Sequence, residues 1–190
     1  MSDKKILAIV GSLRKKSFNK SLAGYASYYL VGNADMEFLD YRALPFFNED
    51  DEFPAPAEVT RVRRAVDAAD AIWIFTPEYN HAVPAVLKNL LDWLSRPLSK
   101  GDYETPLALA GKPVAISGVG GSGATADARR DVRGILDFLG ADVVDTADEG
   151  FVLPAESWVS GDYAIPDEDR KRIELQADAL MARVKDLERA

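Results

Sequence analysis

Cysteine is absent from the sequence and histidine occurs once, at position 81. The first absence excludes disulfides, thiolate nucleophiles and thiolate metal sites. The second, together with the lack of any HxH or HExxH pattern, argues against a catalytic metal. No apolar run is long enough to span a bilayer, and the stretch within MSDKKILAIVGS is too short for a signal-peptide core. Positive charge is also scarce: 23 Lys and Arg stand against 31 Asp and Glu, a formal charge of -8. The mean field repels phosphate polymers, so neither nucleic acid nor an anionic membrane is an expected partner. Any anion site must be local, and a cytoplasmic protein acting on small molecules is the expectation.

The 190 residues, 47% of them apolar, suffice for one domain covering 1–190 with a good core. Short apolar runs alternate with amphipathic stretches. Ile6 to Val10 and AIWIF (71–75) read as strands buried on both faces, as does KPVAISG (112–118). Met36 to Tyr41 reads as a second strand, and ADVV opens a final one near 142–152. Helices are expected from about Asn19 to Leu30, Ala57 to Ala69, Pro84 to Leu94 and Ala124 to Leu139. Beyond Pro166 the spacing of Ile173, Ala177, Leu180, Val184 and Leu187 predicts a long amphipathic helix lying on one sheet face. Strands alternating with helices imply parallel βαβ units with right-handed crossovers. The expected fold is α/β, a flavodoxin-like three-layer sandwich whose five-stranded parallel sheet runs 2-1-3-4-5.

In that order strands 1 and 3 are neighbours, and a ligand crevice lies beyond their carboxyl ends. The loop after strand 1 is GSLRKKSFN (11–19). Gly11 permits close backbone approach, while Ser12, Ser17 and Asn19 offer side-chain donors. Arg14 offers a charge-assisted fork, and the following helix starts with free N–H groups and a positive dipole end. The combination suits a terminal phosphate. Simple helix capping by Ser17 or Asn19 is the plainer alternative. The loop is neither GxxxxGK[ST] nor GxGxxG, and it lacks a receiver domain's acidic pair.

The loop after strand 3, TPEYNHAVP, is stiffened by Pro77 and Pro84. It can aim backbone N–H groups at a planar heterocycle edged by Tyr79; an ordered turn in which Asn80 supports the helix is equally consistent. His81 reads as a solvent-facing turn residue or as a substrate contact at the mouth. SGVGGSGAT (117–125) supplies a third, glycine-rich wall.

GSLRKKSFN, LPFFNEDDE (44–52), PEYNHAVPAVLKNLLDWLSR (77–96) and ISGVGGSGATADARRDVRGIL (116–136) together resemble the NADPH-dependent FMN reductase family, in its chromate, quinone and azo-dye reductase branch. The resemblance implies an FMN-binding oxidoreductase with NADPH or NADH as hydride donor and small-molecule acceptors, assembled as a homodimer or homotetramer. It implies that Ser12, Arg14, Ser17 and Asn19 hold the FMN phosphate. Pro77, Glu78, Tyr79 and Asn80 would line the isoalloxazine ring, with Ser117 and Gly120 on its other side. No residue is assigned as catalytic and none as a metal ligand. Lys16 stands where relatives often carry glycine, and Ala82 where serine is common.

A non-enzymatic flavodoxin-type electron carrier is the main alternative, and a flavin-free scaffold on the same fold is another. The acidic run NEDDE (48–52) reads as a solvated loop or, by resemblance, as a subunit contact to a basic residue such as Arg96 of the partner subunit. Arg129, Arg130 and Arg133 read as readers of a dinucleotide phosphate or as a solvated helix face. The last 45 residues carry no assignable motif.

Overall fold

A computed structural model describes residues 4–189. Among these, five parallel strands pair in the order β2-β1-β3-β4-β5, as expected. They are β1 (Lys5–Val10), β2 (Asp35–Phe38), β3 (Ala71–Phe75), β4 (Pro113–Gly120) and β5 (Asp142–Val152). The helices are α1 (Phe18–Tyr29), α2 (Ala57–Asp67), α3 (Ala85–Leu94), α4 (Ala126–Phe138), α5 (Ala155–Ser160) and α6 (Asp167–Leu187). No helix among the described residues is long and apolar enough to cross a membrane.

Every residue of β3 is buried because both sheet faces are covered. Its period of two sends Trp73 and Phe75 into one core with Leu22 and Ala26 of α1 and Ile173 and Leu180 of α6. Ile72 and Ile74 enter the other with Val62 of α2, Leu90 of α3 and Val132 of α4. The apolar stripe of α6 therefore covers one sheet face from Ile173 to Val184.

The second strand and the segment after the last one differ from the sequence reading. The second strand stops at Phe38, short of Tyr41. Beyond it the Leu39 N–H still reaches Ala8 O at 2.9 Å, and the Tyr41 hydroxyl then donates to the Val10 carbonyl at 2.7 Å where a backbone N–H would continue the ladder. The last strand covers the expected 142–152, and its pairing jumps from Val114↔Val143 to Ile116↔Asp148. After it, Pro154 starts the short helix α5, which apolar periodicity did not reveal.

The acidic loop also finds its partner within the chain. Arg96 Nε and Nη2 donate to Glu52 at 2.7 and 3.1 Å, and the guanidinium lies 5.7 Å from the Phe47 ring centroid. Arg96, the residue named for a subunit contact under the resemblance, pairs with the acidic run within its own chain. Glu52 is buried, and an ion pair there satisfies both charges locally.

Candidate cofactor and active site

The loops after β1 and β3 touch at Gly11. A Cβ at this position would sit 3.2 Å from Leu87 Cδ2, 3.2 Å from Thr76 Oγ1 and 3.3 Å from Pro77 Cδ, so the missing side chain lets the loops close. From there the chain passes through Ser12 to Ser17, which caps α1. Ser17 is extended, and its Oγ accepts the Lys20 N–H at 3.3 Å. The plainer capping role expected for Ser17 is therefore real, and it leaves the first N–H groups of α1 unclaimed by the helix.

The first turn of α1 carries no acid, whereas α4 starts with Asp127 and α6 with Asp167, Glu168 and Asp169. Among the described residues neither Arg14 nor Lys15 has a carboxylate partner. Lys16 makes one exposed pair, to Asp162 at 3.3 Å. A strongly acidic chain thus keeps two unpaired cations beside one helix amino terminus, and Ser12 and Ser17 stand on the same loop. Dipole, N–H groups and cations all favour an anion there.

Asn19 is placed otherwise than expected. It is buried, and its amide exchanges bonds with the backbone of Val119: Nδ2 donates to the carbonyl and Oδ1 accepts the N–H, both at 3.0 Å. The side chain ties α1 to β4 through these two bonds.

Beyond β3, Pro77 is buried and the chain turns back in a tight hairpin. Tyr79 and Ala82 exchange backbone bonds at 3.3 and 3.1 Å, around Asn80 at φ 54° and His81 at φ 58°. Two consecutive left-handed residues make a type I′ turn, which asparagine tolerates well. Tyr79 is half exposed at the turn's edge. Glu78 points away from the tip, and its Oε2 accepts the N–H groups of Asp127 and Ala128 at 2.9 and 3.0 Å. His81 Nδ1 lies 2.9 Å from Asp127 Oδ2 and 3.7 Å from Glu78 Oε1. Hydrogen bonds from His81 and Arg130 hold the Asp127 carboxyl below its usual range. The turn and the start of α4 are thereby bolted together, which sets the spacing between two walls of a cleft. The Glu78 carboxylate serves as that bolt, and His81 is a solvent-facing turn residue.

The third wall is glycine backbone. A Cβ on Gly118 would overlap the Thr125 side chain and lie 2.6 Å from Thr76 O. One on Gly121 would meet open space, and one on Gly123 only Glu78 Oε1 at 3.9 Å. The loop folds back through Ala124 and Thr125, both left-handed, and buries the Thr125 hydroxyl without a hydrogen-bond partner among the described residues. Its exposed stretch, residues 121–123, leaves open space beside Gly120.

Ser117 does not reach this surface. The pleat turns it inward, where Oγ accepts from Trp73 Nε1 at 2.9 Å and donates to Gln176 Oε1 at 3.0 Å. The Ser117 hydroxyl is therefore engaged in the core, and only its backbone is left to border a ring. The arginines of α4 are likewise engaged: Arg129 with Asp148, Arg130 with Asp127 and Asp131, and Arg133 with Asp145 and Asp148. An ion-paired helix face is the reading their geometry supports, with Arg130 exposed and Arg129 largely covered. Sequence reasoning missed Asp127 and the segment from Leu153 to Asp162, which adjoins the site through Leu153 N–H to Gly120 O at 2.8 Å. Pro154, as a helix-starting proline, was the available signal.

An anion cradle joined to a flat, glycine-walled cleft at the carboxyl edge of β1, β3 and β4 fits a flavin mononucleotide. The model of the NADPH-dependent FMN reductase family matches residues 4–149. A 2-hydroxy-1,4-benzoquinone reductase from Burkholderia sp is 35% identical over 184 residues, which cover 96% of this chain and 97% of that protein. An NAD(P)H-dependent FMN reductase from Pseudomonas aeruginosa is 34% identical over 187 residues, 97% of each. Among solved structures, the flavoenzyme NAD(P)H:(acceptor) oxidoreductase FerB from Paracoccus denitrificans aligns with a TM-score of 0.82 at 28% identity, over 96% of this chain and 98% of that one. The chain belongs to the NADPH-dependent FMN reductase family and is an oxidoreductase that uses FMN and NAD(P)H.

Proposed function

We propose that the protein reduces quinones and free flavins at a single FMN site, taking hydride from NADPH or NADH. The observation that carries this reading is the unpaired Arg14 and Lys15 at an acid-free helix start, beside a cleft walled by glycine backbone. A phosphate monoester fits the first feature and a planar ring the second. The names of the two full-length relatives, one for a benzoquinone and one for FMN, support these acceptor classes. Azo compounds and chromate are further acceptors for an open redox face.

Bound FMN would supply the hydride chemistry, and the protein positions it. Ser12, Arg14 and Ser17, with the first N–H groups of α1, hold the phosphate. Pro77, Tyr79 and Asn80 line one side of the ring and Gly120 with the following glycines the other. Backbone N–H groups at Asn80 and Gly120 stabilise negative charge on the ring edge. Glu78, through α4, keeps the walls at fixed spacing. Tyr79 borders the face at which donor and acceptor take turns, so ping-pong kinetics follow. Assembly as a homodimer or homotetramer is part of this reading, supported by the highly exposed rings of Phe46, Tyr103 and Phe138.

The test is absorbance of FMN-saturated, desalted protein before and after anaerobic NADPH. A retained flavin spectrum that bleaches is expected. Retained flavin that neither NADPH nor NADH bleaches would favour an electron carrier, and loss of flavin on desalting would overturn the assignment.

A further inference from the structure

We propose that Trp158 is a positioning residue of the cofactor site: acting through the Phe18 ring, it holds the Arg14 guanidinium at the phosphate loop. The proposal rests on the FMN reading above and extends it to a segment beyond residue 149, where the family match ends.

Helix α5 contributes almost nothing to the core. Of its residues only Ser157 is buried, while Trp158 is 59% and Val159 91% exposed. What the segment does touch is the anion loop. The Trp158 and Phe18 rings meet edge-on, with centroids 5.9 Å apart at 80°, and Tyr163 meets Phe18 at 6.4 Å and 79°. Such T-shaped contacts fix ring orientation as well as burying area. Phe18 is the first residue of α1, and the Arg14 guanidinium carbon lies 4.6 Å from its ring centroid. Gly161 ends α5 at φ 76°, and a Cβ there would lie 3.6 Å from Arg14 Nη2. Lys16 and Asp162 form the adjoining exposed pair at 3.3 Å. The α5 turn therefore packs against the phosphate loop at Arg14, Lys16 and Phe18 together.

The chemistry of Arg14 explains why such a support is useful. Its side chain is exposed and has no carboxylate partner among the described residues, so no ion pair fixes it before ligand arrives. A long cationic side chain loses rotamer freedom on binding a phosphate, and that loss subtracts from affinity. Stacking on an aromatic face restricts the guanidinium beforehand without neutralising it. Phe18 supplies the face, and Trp158 and Tyr163 hold Phe18 in the orientation that presents it. Were Trp158 only a cover for the sheet, it would be buried, whereas it stands 59% exposed with its edge on Phe18.

The test is FMN affinity of the apoprotein, read by quenching of flavin fluorescence, for wild type, W158A, W158F, R14A and the W158A/R14A double variant. We expect W158A to weaken binding roughly three- to tenfold, the scale of a guanidinium–ring contact. W158F should stay near wild type, because a ring edge still reaches Phe18. In the R14A background W158A should have no further effect, since a residue acting through Arg14 has nothing left to position. Equal affinity of W158A and wild type, or penalties that add in the double variant, would overturn the proposal. If W158A fails to fold, W158L, which keeps apolar cover without an aromatic edge, gives the same comparison against W158F. Wild type that does not bind FMN would remove the FMN reading and this proposal with it, whereas wild-type binding with an indifferent Trp158 would remove the proposal alone.

Discussion

Glu78, carried on the loop after β3, closes the amino terminus of α4 by accepting the N–H of Ala128 at 3.0 Å and that of Asp127 at 2.9 Å. The residue preceding α4, Thr125, is left-handed and makes no side-chain cap, so Glu78 provides from across the cleft what a local serine or aspartate usually provides. Its negative charge also complements the helix dipole. Glu78→Ala is expected to cost about 1–3 kcal/mol in the apoprotein, the scale of a lost cap and two charged hydrogen bonds. Glu78→Gln retains an acceptor and should cost less. Urea unfolding midpoints check both, and an unchanged midpoint for the alanine variant would show the cap to be idle.

Arg14 and Asn19 should respond in opposite ways although they share one loop. Arg14 is exposed and unpaired, so Arg14→Ala should leave apoprotein stability within about 1 kcal/mol. Its loss should weaken FMN binding by about 1.5–3 kcal/mol, roughly ten- to a hundredfold. Asn19→Ala strands the buried N–H and carbonyl of Val119 and should cost about 1–3 kcal/mol of stability. Titration with FMN and urea unfolding of both variants separate the two roles. Unaltered FMN affinity in the Arg14 variant would take Arg14 out of the phosphate site.

Which loops meet is legible in the sequence, because each follows a strand whose continuous apolar run marks it as buried on both faces. AIWIF and KPVAISG are such runs, and the order of a parallel sheet then places their following loops side by side. What each polar side chain does within those loops was not legible. Asn19 bonds a backbone 100 residues away and Glu78 one 50 residues away, and the same residue types could equally have faced a ligand. Ser117 illustrates this: a one-residue change of pleat would have put its hydroxyl on the other face of the sheet. The span of β5 was legible from ADVV onward, but the register shift between Val114 and Ile116 was not. At six residues α5 is too short to show a helical period.

Gly118 should be the least replaceable glycine of the third wall. A Cβ there would stand 2.6 Å from the Thr76 carbonyl oxygen, which is backbone and cannot swing aside, and would overlap Thr125 as well. Gly118→Ala is expected to destabilise by about 1–3 kcal/mol or to fail to fold, as overpacking does. Gly121→Ala is the control, since its Cβ would meet open space. Thermal unfolding of the pair checks the contrast, and equal melting temperatures would contradict the close approach of β4 to the loop after β3.

Alkaline pH should loosen the fold through two buried phenols. Tyr41 is almost completely buried and donates to Val10 O at 2.7 Å, and burial pushes its phenol well above the ordinary tyrosine range. Tyr163 is raised first by burial and then by the charge of Asp169, to which its hydroxyl donates at 3.3 Å. In the unfolded chain both would ionise near pH 10. Above that pH the unfolded state has released protons that the folded state retains, so unfolding becomes more favourable as pH rises. The stabilisation is complete below about pH 10 and is lost progressively above it. Ultraviolet titration should therefore leave part of the signal from the seven tyrosines unionised until far-ultraviolet circular dichroism reports unfolding. Tyr41→Phe and Tyr163→Phe should each flatten the alkaline loss of stability. Full ionisation of all seven phenols near pH 10 in a still-folded protein would contradict the assignment.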